Sequence, residues 1–87
     1  MLDDPQSALL LATETLEDAQ MTGYEHGIAE ALLNVGWSHC YLSRIEESSL
    51  ALNGALERFR ALDDAEGQAK ATNALGVLHR TTSRYER

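Results

Sequence analysis

Apolar residues recur every three or four positions along most of the chain, which is the spacing of a buried stripe on an α-helix. Strand signals are missing, and the only proline, Pro5, stands near the start of the sequence. The pattern therefore predicts an all-α protein of about four helices. The expected helices cover residues 5–21, 24–42, 44–61 and 64–82.

The second expected helix differs from the third in its apolar surface. Residues 24–42 have two stripes, Ile28-Leu32-Val35-His39-Leu42 and Leu33-Trp37-Cys40-Tyr41, whereas residues 44–61 have one, Ile45-Leu52-Ala55-Leu56-Phe59. A helix that is apolar on two sides must be covered on both or leave one side for a partner. The third helix is expected on the outside.

The helix ends carry polar residues of the kind that cap free backbone N–H groups. Asp4 is predicted to cap the first helix, with Pro5 at its first position. Capping boxes are predicted to begin at Thr22, Ser43, Asp63 and Ser83, each followed three residues later by glutamate. Gly36 and Gly76 lie inside helices at a cost of about 1 kcal/mol each, so the close approach of a neighbouring helix is expected at both.

The chain repeats itself with a period of 40 residues. Shifting the sequence by 40 positions gives twelve identical pairs, among them Gly36 with Gly76 and His39 with His79. A fixed period of this size indicates an array in which each unit buries its apolar surface on its neighbours.

Two segments of the sequence resemble the signature of the tetratricopeptide repeat (TPR) family. The matching residues are Leu32-x-x-Val35-Gly36-x-x-His39, Thr72-x-x-Leu75-Gly76-x-x-His79, and the stretch from Ser43-Arg44-Ile45-Glu46-Glu47-Ser48 to Ala55-Leu56-Glu57. The chain departs from that pattern in its histidines, which replace the usual aromatic residue, in Ser48, in a missing closing proline, and in a repeat longer than the usual one of about 34 residues.

The resemblance implies antiparallel helix-turn-helix repeats in an α-solenoid fragment, with residues 1–87 as a single TPR-like domain. Residues 5–21 would be the second helix of an incomplete repeat, 24–62 a complete repeat, and 64–87 the first helix of a truncated repeat, with a further helix beginning at Tyr85. We therefore expect an N-terminal piece of a longer protein, similar to bacterial signalling proteins that carry such arrays.

Composition and charge narrow the function. With 44% apolar and 24% charged residues, the chain has the composition of a globular protein rather than of a disordered one. Its net charge of −7 disfavours nucleic-acid binding, and residues 1–43 hold seven acidic residues and no Lys or Arg. The longest apolar run, residues 8–12, is too short to span a membrane. A single cysteine and an acidic N-terminus favour a reducing, cytoplasmic setting.

The TPR resemblance also implies a concave groove for a partner. The residues expected to point into it are Glu30, Leu33, Trp37, Cys40, Tyr41, Lys70, Asn73, Val77, Arg80 and Thr81. Trp37 and Tyr41, one helical turn apart, would form an aromatic shelf for an apolar side chain, or would pack on the first helix. Lys70, Asn73 and Arg80 would hold a carboxylate or form a solvated polar surface.

No set of residues indicates catalysis, a cofactor or a metal site. His39 and His79 are equivalent in the repeat, which suggests a structural role, and Cys40 lacks a base placed to activate it. The sequence thus predicts a non-catalytic module for protein–protein interaction or self-association, with a protein or peptide partner and a homo-oligomer formed through exposed terminal helices. One alternative is a ligand-sensing segment that contributes pocket residues to an enzyme such as a cyclase or kinase. Another is a closed four-helix bundle with a ligand in its middle.

Overall fold

A computed structural model describes residues 4–85 of the chain, with side chains as far as residue 82. Four helices follow one another, α1 (Pro5–Thr22), α2 (Glu25–Tyr41), α3 (Ile45–Ala61) and α4 (Ala65–Tyr85). Residues 4–85 contain no strand, so the predicted all-α fold is confirmed. Links of only two or three residues make neighbouring helices pack side by side in antiparallel hairpins.

One turn type closes all three hairpins. Gly23, Ser43 and Asp63 take left-handed backbone conformations, with φ of 72°, 62° and 57°. In each case the N–H of the following residue donates to the carbonyl five residues before it, which satisfies the carbonyls that a helix end leaves free. The turns are 20 residues apart, so each 40-residue repeat contains two helices of similar length.

These turns displace two of the predicted capping boxes. The residues that precede α2 and α3 are Tyr24 and Arg44, and neither side chain caps its helix. Thr22 remains in α1, where its hydroxyl donates to backbone carbonyls, and Ser43 is used by the left-handed turn. The predicted boxes at Thr22 and Ser43 are therefore wrong, because the end of the preceding helix moves each start one or more residues later.

The caps of α1 and α4 rest on aspartates. Asp4 Oδ1 accepts a hydrogen bond from the Gln6 N–H at 3.2 Å, and Pro5 opens the helix as predicted. Asp64 Oδ1 accepts from the Gly67 N–H at 3.0 Å. The predicted cap of α4, Asp63, is thus wrong by one residue, because Asp63 itself forms the turn.

The last helix continues beyond its expected end. α4 runs to Tyr85, past the turn expected after residue 82, so the predicted start of a further helix at Tyr85 is wrong. Neither glycine nor proline occurs in residues 81–85 to stop the helix. The hydroxyls of Thr81 and Thr82 donate to carbonyls four residues earlier and remain compatible with helical backbone.

The main core lies between α2, α3 and α4. It is built from alanines and a few large side chains: Ala29, Leu33, Cys40, Leu52, Ala55, Phe59, Ala71, Ala74 and Leu78. A second, smaller cluster joins the first three helices through Ala12, Val35 and Ala51. Residues from both predicted stripes of α2 are buried, which confirms that α2 is covered on two sides.

The helices form an open layer rather than a closed bundle. α1 packs along α2, α3 along both α2 and α4, and α2 also touches α4, whereas α1 and α4 are not in contact within the described residues. The layer measures 43 × 31 × 19 Å. A bundle that encloses a ligand would need contact between its first and last helices, and residues 4–85 show none between α1 and α4.

Gly36 and Gly76 occupy equivalent places in the repeat but different surroundings. A Cβ at Gly36 would overlap the Leu52 side chain, and Ser48 Oγ donates to the Gly36 carbonyl at 2.8 Å. This confirms the expected close approach of α3 to α2. A Cβ at Gly76 would meet nothing within 4 Å, so the same expectation is wrong for Gly76 within this chain.

Candidate functional site

An open apolar groove runs between the first half of α1 and the second half of α2, and we call it the α1/α2 groove. Its volume is about 880 Å³. The apolar part of its lining comes from Ala8, Leu10, Leu11, Ala12, Trp37 and Tyr41. Its size is in the range of clefts that bind drug-sized ligands or the side chains of a partner.

Two leucines of α1 remain in contact with solvent beside this groove. Leu10 is 64% exposed and Leu11 is 66% exposed, whereas Leu9 and Leu16 of the same helix are half-buried. α1 buries only the alanines Ala12 and Ala19, because small side chains let α1 approach α2 closely. The apolar run at residues 8–12 therefore has more apolar surface than α2 can cover.

The aromatic pair of α2 forms one wall of the groove. The rings of Trp37 and Tyr41 stack with centroids 5.8 Å apart and an angle of 21° between their planes. Tyr41 is 69% exposed, and Trp37 is half-buried. Both side chains line the α1/α2 groove, and Trp37 also packs against the main core.

A smaller polar cleft of about 160 Å³ lies where α2 meets the start of α4, and we call it the α2/α4 cleft. Asn34 of α2 lines both this cleft and the α1/α2 groove. His26 Nε2 and Asp64 Oδ2 are 2.7 Å apart across it. The hydrogen bond to Asp64 raises the pKa of His26, and the nearby Glu30 adds to this effect. The same hydrogen bond, helped by the Gly67 N–H, lowers the pKa of Asp64.

The predicted groove residues are divided between these surfaces. Glu30, Leu33 and Lys70 line the α2/α4 cleft, with Leu33 buried and the two charged side chains exposed. Trp37 and Tyr41 line the α1/α2 groove. The two clefts meet at Asn34, which lines both of them. The lining of the α2 surface is polar towards α4 and apolar towards α1, and the predicted single groove stays a prediction.

The remaining predicted residues lie along α4 and in the core. Asn73 and Arg80 are exposed on α4 outside both clefts, while Val77 is half-buried against the main core. Thr81 uses its hydroxyl within α4. Cys40 is buried, and desolvation raises the pKa of its thiol, which disfavours the thiolate that a nucleophile needs.

The described residues form neither a metal site nor a membrane span. Among them, no three His, Cys, Asp or Glu side chains lie together as a metal site would require. No helix in that part of the chain has the length and apolar character needed to cross a membrane.

Four residues of these clefts were not singled out by the sequence. Leu10 and Leu11 had a usable signal, because five consecutive apolar residues on a surface helix cannot all face one neighbour. His26 and Asp64 had none, since they are 38 residues apart and meet only when α4 packs against α2.

Comparison of the chain with protein-family models, with curated proteins and with solved structures gives no match. The TPR resemblance therefore stays a prediction, and the α1/α2 groove and the α2/α4 cleft must be interpreted from their own chemistry.

Proposed function

We propose that this chain is a non-catalytic helical-repeat module that binds a helix of a protein partner in the α1/α2 groove. The proposal keeps the TPR-like character and a role within a larger signalling or regulatory protein. It also keeps the cytoplasmic setting suggested by the lone Cys40. The observation that carries it is the exposure of Leu10 and Leu11 at the edge of an apolar groove of about 880 Å³.

The chemistry of the groove favours a protein partner over a small polar ligand. Its lining is mostly apolar, and the stacked pair of Trp37 and Tyr41 offers a flat aromatic surface with a phenolic hydroxyl at its edge. Aromatic residues of this kind are typical anchors of protein interfaces. Exposed leucines beside them would be buried by a partner, which gives the apolar contribution to binding.

The repeat indicates that the occupant is a helix. Within the chain, α2 lies in the angle between α3 and α4. Since α1 and α2 are the counterparts of α3 and α4 in the 40-residue repeat, the α1/α2 groove is the counterpart of the place that α2 itself occupies. A helix is therefore the shape that this surface is built to accept.

A labelled peptide tests this proposal directly. The probe is residues 25–41, the segment that fills the equivalent place on α3 and α4, with Cys40→Ser and a fluorophore at its N-terminus. We expect saturable binding to the full chain by fluorescence anisotropy at low protein concentration. Leu11→Asp should reduce the affinity about tenfold or more, because it places a charge in a surface that must be desolvated.

Leu50→Asp is the matched control for that variant. Leu50 is an α3 leucine that is 76% exposed and lies outside the groove, so the same substitution there should leave peptide binding unchanged. Equal binding by Leu11→Asp and the unsubstituted chain would contradict the proposal, as would the absence of saturable binding.

A further inference from the structure

We infer that the helix received by the α1/α2 groove is α4 of a second copy of this chain, so that copies associate head to tail. This inference rests on the proposed function, because it names the partner of the same groove. It follows from the repeat register, from the surface that α4 leaves open, and from the charges at the two ends of the layer.

The register of the repeat allows copies to continue one another. α4 is the counterpart of α2, and α1 is the counterpart of α3. The counterparts α1 and α3 alternate with the counterparts α2 and α4 along the chain. When α4 of one copy is followed by α1 of the next, this alternation continues across the junction. The contacts of α2 with α3 and α4 then provide a template for each contact of α4 with α1 and α2 of the next copy.

The surface of α4 that corresponds by repeat position to the covered surface of α2 is open, and two of its residues are polar where those of α2 are apolar. Asn73, Gly76 and Arg80 are exposed, whereas Leu33, Gly36 and Cys40 at the equivalent positions of α2 are buried. In α2 the glycine lets the helix approach Leu52 of α3. The open space beside Gly76 gives a second helix the same freedom of close approach, and no described residue lies within 4 Å of where a Cβ would stand.

Charges are complementary in this register. Glu30 of α2 and Lys70 of α4 line the same cleft. In the head-to-tail arrangement, α4 of one copy stands where α2 stands within the chain, and α2 of the next copy stands where α4 does. Lys70 of the first copy then occupies the place of Glu30, and Glu30 of the next copy occupies the place of Lys70. The two opposite charges therefore line one cleft again at the junction. Residues 4–43 contain no Lys or Arg, and the basic side chain that shares the cleft with Glu30 on α2 is His26.

An apolar contact has a counterpart as well. Val35 of α2 and Ala51 of α3 belong to one buried cluster. The equivalent residues at the junction are Leu75 of one copy and Leu11 of the next. Leu75 is half-buried and Leu11 is 66% exposed, so both have apolar surface left for this contact.

This kind of contact does not close on itself. Each copy has one groove and one α4, and they are at opposite ends of the layer, so the contact is heterologous and a second copy leaves the same two surfaces free. We expect a mass that rises continuously with protein concentration in sedimentation velocity, without a plateau at the dimer. Leu11→Asp should give a monomer, and Leu50→Asp should associate like the unsubstituted chain.

A charge exchange identifies the two surfaces that meet. Glu30→Lys places two lysines opposite each other at every junction, and Lys70→Glu places two glutamates there. Each variant alone should therefore associate about fivefold more weakly. An equimolar mixture restores an opposite pair at each junction and should associate as well as the unsubstituted chain.

The control pair is Glu57→Lys and Arg60→Glu, two exposed positions of α3 that change the net charge by the same amounts. Each control variant alone should associate as strongly as the equimolar mixture of the two control variants. Recovery in the control mixture, or no recovery in the Glu30→Lys and Lys70→Glu mixture, would overturn the inference. A chain that stays monomeric at millimolar concentration but binds the 25–41 peptide would overturn the head-to-tail contact and leave the proposed function standing. A chain that stays monomeric and also fails to bind the peptide would contradict both the head-to-tail contact and the proposed function.

Discussion

Gly36 and Gly76 show how one residue type at one repeat position meets two environments. Both lie inside helices, where glycine lowers helix stability by about 1 kcal/mol relative to alanine. At Gly36 this cost allows α3 to approach α2, because a Cβ there would overlap the Leu52 side chain. At Gly76 no described atom lies within 4 Å of where a Cβ would stand, so the missing side chain allows no close helix contact there.

The same substitution should therefore have opposite effects at the two sites. Gly36→Ala is expected to lower the free energy of unfolding by roughly 1–3 kcal/mol, the usual cost of overpacking a core. Gly76→Ala is expected to raise it by about 1 kcal/mol through helix propensity. Urea unfolding followed by circular dichroism at low protein concentration measures both. A change of the same sign in the two variants would contradict the packing described at Leu52.

At the scale of elements, helix ends are determined by turns and helix contacts by a few side chains. Three left-handed turns 20 residues apart fix the lengths of the first three helices. Across the layer, Arg58 Nη1 of α3 lies 3.2 Å from Glu25 Oε1 of α2, and His26 of α2 contacts Asp64 at the start of α4. The second pair is the more informative, because one of its members titrates near neutral pH.

The contact of His26 with Asp64 should make the attachment of α4 to α2 depend on pH. Because the folded-state pKa of His26 is raised above 6.5, its contribution is fully present below pH 6.5 and is lost as the pH rises through that raised pKa. Because the pKa of Asp64 is lowered below 3.8, its contribution is present above pH 3.8 and is lost only at more acidic pH. The pair therefore stabilises the fold most between about pH 4 and pH 6.5.

Asp64→Asn separates this pair from the helix cap. Asparagine still caps a helix well, but it cannot pair with a charged imidazole. Thermal unfolding at pH 5.5 and pH 8.5 should show a loss of stability with rising pH in the unsubstituted chain and a smaller loss in Asp64→Asn. An equal pH dependence in both proteins would show that His26 does not depend on Asp64.

At the scale of the whole molecule, the open layer distributes stability unevenly. α2 packs against all three other helices, whereas α1 packs along α2 and buries only two alanines. The main core contains residues of α2, α3 and α4 and none of α1. Local opening therefore costs least at α1, which carries one wall of the α1/α2 groove.

Hydrogen exchange measures this difference. At low protein concentration, the amides of α1 should exchange before those of α3, and those in the middle of α2 should be the last. The reason is the amount of buried apolar surface that each opening exposes. Uniform protection across α1, α2 and α3 would contradict the position of the core. Leu52→Ala creates a cavity in the main core. The amides of α2 and α3 should then exchange as early as those of the rest of the chain.

The sequence by itself determined the number of helices, their approximate limits and the two-sided burial of α2. These follow from apolar spacing and helix length, which act over three or four residues and need no knowledge of the rest of the chain. It also indicated the repeat, and with it the close approach at Gly36. The caps of α3 and α4 were misjudged by one residue, because left-handed turns at Ser43 and Asp63 shift each start and have weak signals without glycine. The cap of α2 was misjudged because α1 continues through Thr22 to the turn at Gly23.

Only the tertiary structure decided which side chains share a surface. Trp37 and Tyr41 are on the same helix as Glu30 and Leu33, and the sequence gives no reason to separate them. The packing of α1 and of α4 against α2 places the first pair in the α1/α2 groove and the second pair in the α2/α4 cleft, with Asn34 lining both. The contact of His26 with Asp64 arises in the same way. Such contacts depend on the relative position of whole helices, which is the sum of many weak packing terms and not a property of any short stretch of sequence.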